Sequence, residues 1–112
     1  MIPVILESPY SSDVERNLRY LRAAMADCLK RGEAPFASHG LYTQPGVLDD
    51  TKPEGRKLGM TAGFTWIMRS SYTVVYVDLG ITPGMGMGID LAMNAGHNVI
   101  ERRLGGEWAA SR

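Results

Sequence analysis

The residues able to do chemistry collect where the apolar runs of this chain end. Pro3 to Leu6 is one such run, and Glu7 follows it directly. A carboxylate at the end of a buried strand has its pKa raised by desolvation and suits acid or base work, so Glu7 is a candidate catalytic group. Ser8-Pro9-Tyr10-Ser11 comes next. The hydroxyls of Ser8 and Ser11 either donate to a phosphate or cap a helix, and the Tyr10 ring either stacks on a base or plugs the sheet edge. A second run, Tyr72 to Val77, ends in Asp78-Leu-Gly-Ile-Thr-Pro-Gly-Met-Gly-Met-Gly88. Thr82 can cap a helix that Pro83 begins, while Gly80, Gly84, Gly86 and Gly88 leave the backbone bare. Free amides and the helix dipole at such a start attract an anion, which would sit near Thr82, Gly84, Met85 and Gly86. The plain alternative is a flexible strand-to-helix turn. Ile89 stands where the dinucleotide fingerprint G-x-G-x-x-G needs its third glycine, so that motif is absent.

Two histidines complete the inventory. His39 either bonds a phosphate or hydroxyl or serves the structure, and His97, beside Gly96, reads as surface. They are far apart in sequence, and no Cys/His/Asp cluster has ligand spacing, so neither a metal nor another cofactor is expected.

The elements that must position these groups alternate. A strand over Pro3 to Leu6, apolar throughout, is buried on both faces. Ser12-Asp13-Val14-Glu15 has the form of a capping box, and Val14, Leu18, Leu21, Met25 and Leu29 mark one face of the helix that follows, closed by Gly32. Ala34 to Ser38 is a second short strand, and His39 to Asp50 a long loop. Thr51-Lys52-Pro53-Glu54 is another capping box, opening a helix to about Arg69. Gly55, Gly59 and Gly63 form a stripe on that helix, each costing roughly 1 kcal/mol against alanine. Such a stripe implies a close backbone approach, to the sheet or to a second subunit, and with Met60, Phe64 and Ile67 it predicts a homodimer or higher homo-oligomer. Tyr72 to Val77 is the strongest strand, followed by a helix from Pro83 or Gly84 to Ala95 and a last strand over Asn98 to Glu101. Residues 1–104 then form one domain and 105–112 a loose tail, with Trp108 free to dock. The order β-α-β-α-β-α-β predicts an α/β fold, a three-layer αβα sandwich on a parallel sheet of four or five strands. Ligands of such sheets bind at the carboxyl ends of the strands, near the point where strand order reverses.

Ser8-Pro9-Tyr10-Ser11, Pro35-Phe36-Ala37-Ser38-His39 and Gly84-Met85-x-x-Gly88-Ile89-x-x-Ala92, in that order, resemble the nucleoside 2-deoxyribosyltransferase-like superfamily, in particular a branch found in phages and actinobacteria. The resemblance implies a Rossmann-like sandwich, often oligomeric, and a nucleotide or nucleoside ligand whose N-glycosidic bond is cleaved through attack of a glutamate on the anomeric carbon. It also implies that Tyr10 faces the ligand and that Asp78 holds the sugar or the leaving base. The alternative for Asp78 is a turn acid capping the next loop. In the superfamily the third motif reads G-M-x-x-E-I-x-x-A, and here Gly88 replaces the glutamate. A covalent mechanism cannot run from that position. Asp90, the nearest acid, lies about 200° around the helix. Three expectations follow: a domain that binds, and so sequesters, a nucleotide without turnover; an N-glycosidase or deoxyribosyltransferase that uses Glu7, Asp78 or Asp90; or a phage accessory protein that works only through protein contacts.

Composition narrows the partners. The 112 residues are 45% hydrophobic and 21% charged, with twelve bases against twelve acids. A balanced charge gives no reason to expect duplex nucleic acid or an anionic membrane. No apolar run approaches a span, and the single Cys28 suits a reducing cytoplasm, that of the bacterial host if the chain is phage-encoded.

Overall fold

A computed structural model describes residues 1–106 and Trp108. The elements are β1 (Ile2–Glu7), α1 (Val14–Lys30), β2 (Glu33–Phe36), α2 (Ser38–Leu41), α3 (Pro53–Ile67), β3 (Tyr72–Tyr76), α4 (Pro83–Asn94) and β4 (Val99–Arg102). All four strands are parallel, in the order β2-β1-β3-β4. Pro35, which cannot donate to a ladder, is accommodated because β2 is an edge strand.

The two central strands are apolar on both faces because helices cover both. Val4, Leu6, Val74 and Tyr76 pack under α1 against Tyr20, Leu21, Ala24 and Cys28. Val75 and Val77 point the other way, onto Met85 of α4. Strand order reverses between β1 and β3, so the crevice expected of such sheets opens at Glu7 and at the start of α4.

Several local expectations are corrected. The cap of α1 is Asp13, whose carboxylate accepts from the Arg16 N–H at 3.1 Å; Ser12 instead adopts φ 77° and turns its hydroxyl to the Ser11 carbonyl. The buried face of α1 is Asn17, Tyr20, Leu21, Ala24 and Cys28, while Val14, Met25 and Leu29 are exposed. The rotation has a cause: Asn17 Nδ2 donates to the Tyr10 and Ser11 carbonyls at 2.9 and 2.8 Å and must face inward. Thr51 does not cap α3; its hydroxyl is bound to Asp49, and Lys52 takes the cap position without a side-chain bond. The expected long loop begins with the short helix α2. The Thr82 cap of α4 is present, accepting from the Met85 N–H at 3.2 Å.

The glycine stripe of α3 is filled by the chain itself. Any Cβ at Gly55 would overlap the Asp49 carbonyl, Gly59 faces Leu48 at 3.0 Å, and Gly63 faces the Ser38 hydroxyl at 3.4 Å. The close approach is made by the 38–49 segment folded over the helix, rather than by the sheet.

Across the α1 face runs a buried polar network. Arg102 donates from both terminal nitrogens to Glu33, at 2.7 and 2.6 Å, and from one of them to the Tyr76 hydroxyl. Tyr72 donates to Glu33, and Tyr76 to Asp27. The Arg102 guanidinium holds Glu33 well below the carboxylate range, at about 2. Beyond β4, Leu104 packs on the α1 core, and the Trp108 ring lies 5.1 Å from that of Tyr20. Of the expected tail, Glu107 and residues 109–112 lie outside the described residues.

Candidate active site

A cavity of about 550 Å³ opens over the carboxyl ends of β1 and β2, between α3 and α4. Alternation along β1 decides what enters it. Val4 and Leu6 belong to the α1 core, so Ile5 and Glu7 point into the cavity. Ser8, Tyr10 and Ser11 line it from the turn after β1, Ser38 and His39 from α2, and Thr82, Gly84, Met85 and Gly88 from α4.

Glu7 is the electrostatic anomaly of this cavity. Among the described residues its carboxylate has no hydrogen-bond or ion-pair partner, and burial pushes its pKa up to about 8. It sits against Gly88. A Cβ added at Gly88 would fall on the Glu7 carboxyl group, 2.7 Å from its Cδ. The Glu7 carboxylate thus occupies the space a side chain at 88 would enter, and it would have to swing aside for one.

Next to it, Ser8 Oγ and His39 Nε2 share a hydrogen bond of 2.8 Å that ties the end of β1 to α2. Burial lowers the His39 pKa to about 4, so its imidazole is neutral at physiological pH. The start of α4, expected to hold an anion, is largely self-satisfied, and so is that of α1. The α1 start carries its own carboxylate, Asp13. In the first turn of α4, Pro83 has no N–H and that of Met85 is taken by Thr82, which leaves Gly84.

The remaining candidates stand elsewhere. Asp78 does not line the cavity. Its Oδ1 accepts from the Tyr20 hydroxyl at 2.6 Å and the Leu104 N–H at 2.8 Å, and its Oδ2 accepts from the Gly105 N–H at 2.8 Å. Burial opposes its ionisation, but these donors outweigh burial and hold the carboxyl below its ordinary value. It fastens the segment after β4 to the end of β3 rather than capping the loop that follows it. Asp90 is exposed on α4 outside the cavity, and Gly80 and Gly86 do not line it either. Gly80, at φ 87°, serves the turn after β3. His97 is not mere surface. Its Nε2 donates to the Ser70 carbonyl at 3.0 Å, which leaves Nδ1 to accept from the Thr73 hydroxyl at 2.9 Å.

Sequence reasoning missed the α3 side of the cavity. Arg56, Met60 and Phe64 line it at helical spacing, beside Phe36 and Tyr42. Phe36 stacks on Trp66 at 4.7 Å, and Trp66 Nε1 donates to the Tyr42 hydroxyl at 2.9 Å. The i, i+4, i+8 pattern of Arg56, Met60 and Phe64 was the available signal. Among the described residues, no group of three or more His, Cys, Asp or Glu could hold a metal, and no helix is long and apolar enough to cross a membrane.

This parallel sheet, its crevice and its flanking helices have the nucleoside deoxyribosyltransferase-like fold. A 2-deoxyribosyltransferase from Bacillus psychrosaccharolyticus superposes with a TM-score of 0.68 at 15% identity, over 94% of this chain and 74% of that one. The CMP N-glycosidase BcmB of Clostridium botulinum superposes with a TM-score of 0.56 at 12% identity, over 90% of this chain and 71% of that one. The chain belongs to the family described as a domain of unknown function, DUF7768, which matches residues 2–102. A search of curated proteins finds no match.

Proposed function

We propose that this chain cleaves the N-glycosidic bond of a nucleotide or nucleoside, with the Glu7 carboxylate as the reacting group. The observation that carries this reading is the contact between Glu7 and Gly88. A half-buried carboxylate, without a partner among the described residues, occupies the volume that a side chain at 88 would enter, so the cavity keeps a candidate attacking oxygen although the third motif lacks its glutamate. Two proteins of the same fold, a 2-deoxyribosyltransferase and a CMP N-glycosidase, support the choice of reaction class. In the reaction, ionised Glu7 attacks the anomeric carbon. The carbon–nitrogen bond breaks with its electron pair on the base, which takes a proton from water. The hydroxide so formed displaces Glu7 from the sugar, so one water is consumed and the carboxylate returns. Tyr10 offers a ring for the base, and the Ser8–His39 pair a hydrogen bond for a sugar hydroxyl. A reducing cytoplasm, where nucleotides are abundant, is the compartment this reading requires.

The test is chromatography of ribo- and deoxyribonucleosides and their monophosphates after incubation with the protein. Release of free base, lost in Glu7→Gln, is the expected result, and intact-mass analysis should find any trapped sugar on Glu7. One observation favours a second reading, in which the nucleotide is held without turnover: with its pKa near 8, Glu7 is mostly protonated at neutral pH. Nucleotide co-purifying intact, with no base released at pH 8 or 9, would select it. Self-association stays in the proposal on grounds other than the glycine stripe, because Leu58, Met68 and Met93 are apolar and exposed. Light scattering on the purified protein decides that point.

A further inference from the structure

Arg56 is the cation among the residues lining the Glu7 cavity. Neither it nor the neighbouring Lys57 forms an ion pair with any described residue, although Asp50 lines the same mouth. Arg56 lies about 10 Å up α3 from Gly63, the residue packed on Ser38 next to His39. From this mouth a second groove of about 550 Å³ runs between α3 and α4. It shares Arg56, Met60, Phe64, Met87 and Leu91 with the cavity, then continues past Lys57 and Thr61. The two compartments thus meet at Arg56, with Lys57 beside it in the groove; one ends in a carboxylate and the other is lined mostly by apolar side chains.

That arrangement calls for a ligand in two parts. A sugar seated at Glu7 carries its phosphate toward the mouth, and the helix starts offer that phosphate little, since α1 has its own Asp13 and α4 only the Gly84 amide. Arg56 supplies what they do not, because a guanidinium fork pairs with phosphate oxygens and keeps its charge. Beyond the phosphate, Phe64 offers a ring face and Met60 and Met87 offer pliable thioethers, surfaces suited to a flat heterocycle. Resting on the bond cleavage proposed above, we propose that the substrate is a dinucleotide: the half that loses its base lies at Glu7, the bridging phosphates lie at Arg56 and Lys57, and the second nucleoside lies in the α3–α4 groove. A mononucleotide would leave that groove in water.

The experiment compares matched pairs that differ only by the second nucleoside. Adenosine diphosphate is set against diadenosine diphosphate, and adenosine triphosphate against diadenosine triphosphate. Release of free base is measured for the wild type, Arg56→Ala and Thr61→Trp. The dinucleotide of a pair should have the higher kcat/KM by roughly tenfold or more. Arg56→Ala should lower kcat/KM for both members by roughly tenfold to a hundredfold, the effect of losing a charged hydrogen bond. Thr61→Trp fills the outer groove, and the ratio within each pair should fall to about one. Equal kcat/KM within a pair overturns the dinucleotide assignment and leaves the bond cleavage standing. If no compound loses its base, the cleavage fails, and calorimetry on the same pairs then judges the groove. Tighter binding of the dinucleotide, lost in Thr61→Trp, sustains the assignment, and equal or absent binding overturns it. A dimer in light scattering that Thr61→Trp dissolves, with the ratio unchanged, assigns the groove to a second copy and likewise overturns it.

Discussion

Glu7 and Asp78 stand at the carboxyl ends of the two central strands, one strand apart, and their surroundings are opposite. Asp78 accepts hydrogen bonds from a tyrosine hydroxyl and two backbone amides, and it stays ionised below the ordinary carboxylate range. Glu7 accepts none from the described residues, and burial drives its pKa to about 8. A half-buried carboxylate that is satisfied by the fold is a fastening. One that is left unsatisfied costs stability, and the usual reason to retain it is a ligand or a reaction that supplies the missing partner. Sequence pattern alone leaves both open, since Glu7 ends an apolar strand and Asp78 sits beside the glycine-rich segment and matches a strand-end aspartate of the superfamily. Partners, not position, separate the two roles.

The contrast can be broken at either end. The largest expected effect is on Glu7: Glu7→Gln should lower base release by about a thousandfold or more while the protein stays folded. Asp78→Asn should do the reverse. It sets an amide against the Gly105 N–H and should cost about 2–3 kcal/mol in urea unfolding, with kcat per folded molecule unchanged. If Asp78→Asn abolished turnover at unchanged stability, the roles would be wrongly assigned. Gly88→Ala should be milder, roughly a tenfold loss in kcat/KM, because the methyl group must push the Glu7 carboxylate aside. The double variant Glu7→Ala/Gly88→Glu returns a carboxylate to the vacated space and should release more base than Glu7→Ala alone.

The smallest effects are those of pH. Activity that depends on ionised Glu7 should rise as pH passes about 8. A fall across that window would make Glu7 an acid rather than the attacking group. Stability moves the other way. The folded-state pKa of Glu7 lies above the ordinary 4.5, so its stabilisation is complete below that value and is lost as pH rises through about 8. His39 is shifted down, to about 4, so its contribution is present above 6.5 and lost as pH falls toward 4. The melting temperature of Glu7→Gln should therefore exceed that of the wild type by more at pH 9 than at pH 5.

Signals that act over a few residues were legible in the sequence. The β-branched run of β3, the Thr82-Pro83 start of α4 and the Gly32 stop of α1 each appear where local chemistry puts them. Features that depend on distant partners were not. The α1 stripe was misread by about one residue because its inward positions include Asn17, Ala24 and Cys28, chosen for turn carbonyls and close packing rather than for apolarity. Thr51 looks like a cap, yet the nearby Asp49 claims its hydroxyl. Gly88 reads as a lost nucleophile in one dimension. Only the fold brings it against Glu7, eighty-one positions earlier. Arg56 was overlooked for a related reason, since nothing local says which face of α3 crosses the mouth of a cavity.

The overlap that forbids any side chain at Gly55 also has a consequence for motion. The backbone at Asp49 rests directly on the first turn of α3, and the same segment supplies Tyr42, Thr43, Leu48 and Asp50 to the cavity wall. Lifting that wall to admit a ligand therefore uncovers the helix start, where Lys52 contributes no side-chain cap. Wall and helix turn should open as one cooperative unit. Amides on both sides of the contact, in 47–51 and 54–58, are then expected to exchange with solvent hydrogen at a common rate, and a bound nucleotide should slow both by the same factor.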